Sequence, residues 1–244
     1  MTTPPQPSAA SPHPPADGLA ATLVTLAGTP DDATDVDGHL MTIARLVPDV
    51  VEPVSYASIS AYRAGAPTTV AASSQVALAV DLAQYGDGAG PCLDALAGAK
   101  PVGVPDVAAV MSWPGFRDLA WRLGLRSSLS IPLVAGSGSP VAALNLYAHE
   151  PAPMIALARR VWELYDTGAL SEDEQPPAGE GTVELLAGLA GALRVRVVIQ
   201  RAMGVIMTHH HLTADKAYIV LRTRAAEAGG DLVDTATSVL HGRV

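Results

Sequence analysis

The chain holds a single cysteine, Cys92, so it can form no intrachain disulfide and assemble no cysteine-based zinc site. Aromatic residues make up only 4% of its 244 residues although hydrophobic ones reach 49%. The core must therefore be built mostly from alanine, valine and leucine. Lysine is scarce, with Lys100 and Lys216 alone. No run of about 18 uninterrupted apolar residues appears, which argues against a membrane-spanning helix. The nearest stretch, 185–199, is interrupted by Arg194 and Arg196. No basic region followed by an apolar run opens the sequence, so no signal peptide is expected. Together with the cysteine usage this points to the cytoplasm. Nucleophile-and-base signatures are missing too, with no G-x-S-x-G, no H-E-x-x-H and no paired carboxylates in an apolar run. No catalytic residue, metal site or cofactor is expected.

What is present is unevenly spread. The net charge is −9, yet residues 183–244 hold seven Lys/Arg against five Asp/Glu, while residues 1–182 hold eight against nineteen. An acidic front with a mildly basic tail suits a nucleic-acid-binding module joined to a non-binding one. The small positive surplus permits such binding without demanding it, because affinity for a polyanion rests on clustered phosphate contacts.

Residues 1–16 are dominated by Pro, Ser, Ala and Thr and read as a disordered tail. Short helices are expected near Leu19–Ala27 and Val36–Leu46, with Pro48 and Pro53 as breaks. From Val54 the period changes. Tyr56, Ser58, Ser60 and Tyr62 alternate with Ala57, Ile59 and Ala61, which is strand-like. A turn at Gly65-Ala66-Pro67 leads to a returning strand over Thr68–Ala72. Further on, 75–85 reads as helix, 86–91 as a glycine-rich loop, 101–104 as strand and 114–123 as helix. Strands over 127–134 and 140–147 are joined by the turn Gly136-Ser137-Gly138. This is a mixed α+β domain with an antiparallel sheet and flanking helices, assigned to residues 17–150. A helix over 154–165 and the acidic, proline-rich stretch Ser171–Gly181 form a connecting segment, 151–182. A long helix then runs from about Val183 to Met207, with Leu186, Leu189, Leu193, Val197 and Gln200 on a stripe able to pack against a partner helix.

Within that helix lies Gln200-Arg201-Ala202-Met203-Gly204, followed by Thr213-Ala214-Asp215-Lys216-Ala217 and Leu221-Arg222. An interior glycine costs about 1 kcal/mol relative to alanine, so close approach of a neighbouring helix is the expected reason for Gly204. Thr213 reads as an N-cap for a second helix, worth roughly 1 kcal/mol. With a third helix around 232–236, the segment from about Leu189 to Leu240 resembles the ANTAR domain, an all-α, three-helix RNA-binding module of bacterial antitermination regulators. The resemblance implies a homodimer formed through helix 183–207 that binds paired RNA hairpins and so prevents a terminator from forming. It makes Ala202, Gly204 and Ala217 the packing notch, and Arg194, Arg201, Lys216, Arg222 and Arg224 the candidates for RNA contact. Arginine's planar fork suits unpaired loop bases; the competing reading of each is a solvated charge or a helix pair such as Arg222 with Glu227. The chain departs from the family pattern in having Met203 where lysine is common. Ala225, Gly229 and Asp231 replace serine, asparagine and a basic residue.

The front domain carries Gln84-Tyr85-Gly86-Asp87-Gly88-Ala89-Gly90-Pro91-Cys92-Leu93-Asp94, Val102-Gly103-Val104-Pro105-Asp106, Trp113-Pro114-Gly115-Phe116 and Ala143-Leu144-Asn145-Leu146-Tyr147. Over 56–147 it resembles a GAF domain of the form that actinobacteria fuse to ANTAR modules. GAF domains sense small ligands or partner surfaces, and Tyr85 and Cys92 are the candidates for lining a ligand pocket. Cys92 follows a glycine-rich loop at a helix start, where a thiol can be acidified; equally, it can be a small buried hydrophobe. Gly86–Gly90 lacks the Lys-Ser/Thr of a phosphate loop and reads as a plain loop. His209-His210-His211 point in different directions with no carboxylate at useful spacing, so metal binding is not expected. The expected whole is a signal-responsive antitermination regulator. The alternative is a protein-interaction or small-ligand sensor whose ANTAR module serves dimerisation and no longer binds RNA. A thiol reductase on the same scaffold would need a second cysteine.

Overall fold

A computed structural model describes residues 18–168 and 179–242; the tail at 1–16 and most of the acidic, proline-rich stretch Ser171–Gly181 lie outside the described residues. Two helices come first, α1 (Leu19–Gly28) and α2 (Val36–Val50). Pro48, expected as a break, lies inside α2 near its end. Strands β1 (Tyr56–Arg63) and β2 (Ala66–Ala72) form a hairpin, then come α3 (Gln75–Asp87), α4 (Pro91–Gly98) and β3 (Val102–Val104). Next are α5 (Pro114–Arg122), β4 (Ser127–Val134), β5 (Pro140–Ala148) and α6 (Pro151–Thr167). The sheet order is β2-β1-β5-β4-β3, with antiparallel pairing throughout.

Strand alternation divides the sheet into two differently furnished faces. Ala57, Ile59, Leu129, Ile131, Leu144 and Leu146 point to one side, where α1, α2 and α6 cover them in the main core. Helix α6, set with the linker from the sequence, contributes Met154, Leu157, Val161 and Leu164 to that core. The opposite face carries Ser58, Ser60, Ser130, Asn145 and Tyr147, all buried beneath α3 and α4.

The C-terminal part is all helical: α7 (Glu180–His210), α8 (Ala214–Ala228) and α9 (Leu232–Leu240). At 31 residues, α7 is about 46 Å long and belongs to two cores. Leu185, Leu186 and Leu189 pack with α1 and α2 in the sensor core. Ile199, Ala202, Met203 and Ile206 pack with Ala217, Leu221, Leu232 and Ala236 in a separate cluster. The stripe expected to face a second chain is thus largely consumed at home. Leu186 and Leu189 are 1% and 2% exposed, and the partner helix is α1.

The glycines of α7 divide accordingly. A Cβ on Gly181 would lie 1.6 Å from the Val50 carbonyl oxygen, and one on Gly188 would lie 2.8 Å from the Ala20 Cα. These residues, with Gly191 against Val24, let α7 lie against α1 and the end of α2. Gly204 does no such thing. A Cβ there would meet nothing within 4 Å, so no helix of the same chain makes the close approach expected of it. The intrachain close approach in this module is carried by Ala202 and Ala217, both 0% exposed.

Candidate functional site

In the C-terminal module the expected RNA residues fall on separate faces. Arg194 and Arg201 are seven apart, hence nearly superposed on one side of α7, and both are exposed. Val197, 43% exposed, and Gly204 continue that side. On α8, Lys216 is exposed and Arg224 half-buried. Arg222 and Tyr218, four apart, share a different face, and that face is docked on the front domain. Arg222 Nη1 is 2.5 Å from Asp32 Oδ1, and the Tyr218 hydroxyl accepts from the Asp31 amide at 3.2 Å. The intrahelical partner expected for Arg222, Glu227, is not the one used. Burial raises the Tyr218 phenol above its ordinary value.

The four departures from the family pattern have structural causes. Met203 and Ala225 are core residues, 8% and 6% exposed, where a lysine or serine would be desolvated. Gly229 is the left-handed C-cap of α8 at φ 60°, a conformation glycine adopts without strain. Asp231 caps α9, its carboxylate accepting from the amides of Val233 and Asp234. Thr213, by contrast, stands at the N-cap of α8 but makes no side-chain cap bond, so the capping expected of it is not realised. The histidines 209–211 are all exposed at the end of α7.

The front domain's polar sheet face is closed over an acid. Asp81 on α3 is 0% exposed. Its Oδ1 accepts from the Tyr147 hydroxyl at 2.7 Å and the Ser58 hydroxyl at 2.9 Å, and its Oδ2 from Thr69 at 2.9 Å. Asn145 Nδ2 donates to Ser60 at 2.8 Å, and its Oδ1 accepts from Ser130 at 2.9 Å. Burial outweighs these donors and raises the Asp81 carboxyl above its ordinary value. The candidate pocket residues sit at the margin of this network. The Tyr85 hydroxyl donates to Ser60 at 2.7 Å. Cys92 is 0% exposed, with its amide donating to Gln84 Oε1 at 3.0 Å. Its thiol is pushed up to about 12, by burial first and by the nearby Asp81 second. Of the two readings of Cys92, the small buried hydrophobe is the one realised. Tyr85 and Cys92 are therefore brought together, each hydrogen-bonded to protein side chains of the closed interior, Ser60 and Gln84.

The signals for this network are legible: serines at period two in β1, an asparagine inside β5, and Asp81 set among the apolar residues Val76–Ala83 of α3. The docking of α8 has no comparable signal, since Asp31 lies 187 residues before Tyr218 and Asp32 lies 190 residues before Arg222.

Residues 33–164 match the family model of the GAF domain, and residues 187–240 match that of the ANTAR domain. No curated protein matches the chain. Among solved structures it is similar to the nlh2 GAF domain of A. aeolicus in an inactive state, with 10% identity, 72% of this chain and 94% of that chain covered, and a TM-score of 0.42. It is also similar to a type II free methionine-R-sulfoxide reductase from Thermoplasma acidophilum, with 10% identity, 69% and 94% covered, and a TM-score of 0.37.

Proposed function

Starting from the fact that this chain belongs to the GAF family and is a GAF–ANTAR two-domain regulator, we propose that it acts in the cytoplasm by transcription antitermination, binding paired RNA hairpins in response to a signal read by its GAF domain. The observation that carries this is the outer face of α7. Arg194 and Arg201 stand on it, exposed and without an ion pair or hydrogen bond to any described residue. Their guanidinium groups are free to meet phosphate or to stack on unpaired loop bases. Lys216, exposed on α8, and the half-buried Arg224 add positive charge to the same module.

Dimerisation belongs to the same reading, but through a different stripe from Leu186 and Leu189. Val183, Ala187, Ala190, Arg194, Val197, Arg201, Gly204 and Thr208 recur at alternating steps of four and three, a heptad pattern. Val183 and Val197 are exposed at 51% and 43%, and Gly204 is open to a close neighbour. The regulator is proposed to be non-catalytic, the one thiol being buried and held protonated. No described helix is long and apolar enough to cross a membrane.

The signal is proposed to be a small ligand that replaces part of the network around Asp81, since Tyr85 and Cys92 stand at its rim. A second reading, in which the ANTAR module only dimerises, draws on the structural duties of Met203, Ala225, Gly229 and Asp231. Filter binding of a paired-hairpin RNA across a salt series separates the two. The expected result is salt-sensitive binding, with Arg194→Ala and Arg201→Ala each lowering the log–log slope by about one. Absence of binding at low salt, or slopes unchanged in both variants, refutes the RNA assignment.

A further inference from the structure

The sensor holds one face of the RNA-binding module through a small polar latch. Asp32, in the loop between α1 and α2, carries the Arg222 guanidinium at 2.5 Å, and the neighbouring Asp31 amide donates to Tyr218 at 3.2 Å. The sensor presets this loop. The Asp31 carboxylate accepts from the Ser137 amide at 2.9 Å, and the Gly136 amide donates to the Thr29 carbonyl at 2.8 Å. Both donors belong to the β4–β5 turn, whose strands also carry Ser130 and Asn145 of the polar network. Gly136 is required for the fit. A Cβ there would lie 2.2 Å from the Tyr218 hydroxyl and 3.0 Å from the Pro30 Cα.

The latch differs in kind from the rest of the domain contact. Where α1 meets α7 the packing is apolar and buried. Around Arg222 the partners are exposed, 38% for the arginine side chain and 67% for Asp32. Beside them a cleft of about 610 Å³ opens between the α1–α2 loop and the α8–α9 corner. Exposed polar contacts of this sort are weak and releasable. A carboxylate also engages a guanidinium by the same hydrogen-bonding geometry as a phosphate oxygen.

We infer that the α1–α2 loop of the sensor and the RNA backbone compete for Arg222, so that the sensor restrains RNA binding until the loop or the β4–β5 turn moves. This rests on the RNA-binding reading above. The loop's acidity serves twice: Asp32 neutralises Arg222, and Asp31 and Asp35 place further negative charge where an incoming phosphate would sit.

The test compares the full-length chain with Asp32→Asn, Gly136→Val and Arg222→Ala. Binding to a paired-hairpin RNA is measured alongside amide hydrogen exchange over 30–36 and 214–228. Asp32→Asn is expected to bind RNA about threefold to fivefold tighter, the range open to one exposed ion pair. Gly136→Val, which wedges the interface, is expected to bind about tenfold tighter with faster exchange in both segments. Arg222→Ala is expected to lose affinity even though the latch is gone. Faster exchange with unchanged RNA affinity in Gly136→Val overturns the competition while leaving the RNA reading intact. Faster exchange with no RNA complex in any form overturns both.

Discussion

Identical substitutions at two points of one helix should have opposite effects. Replacing an interior helical glycine by alanine contributes about 1 kcal/mol from propensity alone. At Gly204 nothing opposes this gain, because the added methyl meets no atom within 4 Å. Gly204→Ala should therefore stabilise the chain by about 0.5–1 kcal/mol. At Gly188 the same methyl lies 2.7 Å from Leu23 Cδ1 and 2.8 Å from the Ala20 Cα. Leu23 can turn aside, but the α1 backbone can yield only if the two helices separate. Overpacking of this kind costs about 1–3 kcal/mol, so Gly188→Ala should be neutral to destabilising by about 2 kcal/mol after the propensity gain. Gly181→Ala should be worse still, with its methyl 1.6 Å from the Val50 carbonyl oxygen. The assay is urea denaturation followed by circular dichroism, at a dilution where the chain sediments as a monomer. Gly188→Ala stabilising as much as Gly204→Ala would refute the account of how α7 is seated.

Other consequences can be read in the same way. Asp81 has its folded-state value raised above 3.8, so the native state keeps a proton that the unfolded chain loses. Its contribution is complete below that pH and is lost upward until the native carboxyl ionises, at about 1.4 kcal/mol per pH unit. Asp81→Asn should remove this segment from the stability–pH curve, and identical curves for variant and wild type would show the carboxyl is not so held. Asp231→Ala should lower the melting temperature through loss of about 1 kcal/mol of capping, whereas Thr213→Ala, with no cap bond to lose, should cost less; equal shifts would contradict the assigned caps. Leu189→Asp should unfold the contact between α1 and α7, by several kcal/mol for an unpaired buried charge. A folded, fully stable monomer from that variant would mean instead that Leu189 faces a second chain.

Much of this architecture is legible in the sequence because it rests on local period. The alternation in β1, the glycine-rich turn before α4 and the apolar positions of α7 each follow from side-chain direction along one element. The GAF and ANTAR resemblances extend that reading to both domains. What a stripe does not reveal is its partner. Leu186 and Leu189 have the spacing of a dimer seam, yet α1 lies against them, and the glycines at 181, 188 and 191 are the sign that a helix lies close there. Gly204 shows the converse, since a small residue marks a close approach only when something approaches. Arg222 is the clearest limit. Its charge and its place on α8 suggested RNA, while its actual neighbour, Asp32, lies 190 residues earlier and is placed by tertiary contacts alone.

The claim that this chain reads RNA is tested most directly by crosslinking it to RNA in living cells and sequencing the transcripts that remain bound. The account predicts recurrent paired hairpins lying just upstream of or overlapping terminators, with recovery reduced by Arg201→Ala. Recovery of the same transcripts as a control without crosslinking, or sites with no hairpin near a terminator, would contradict it.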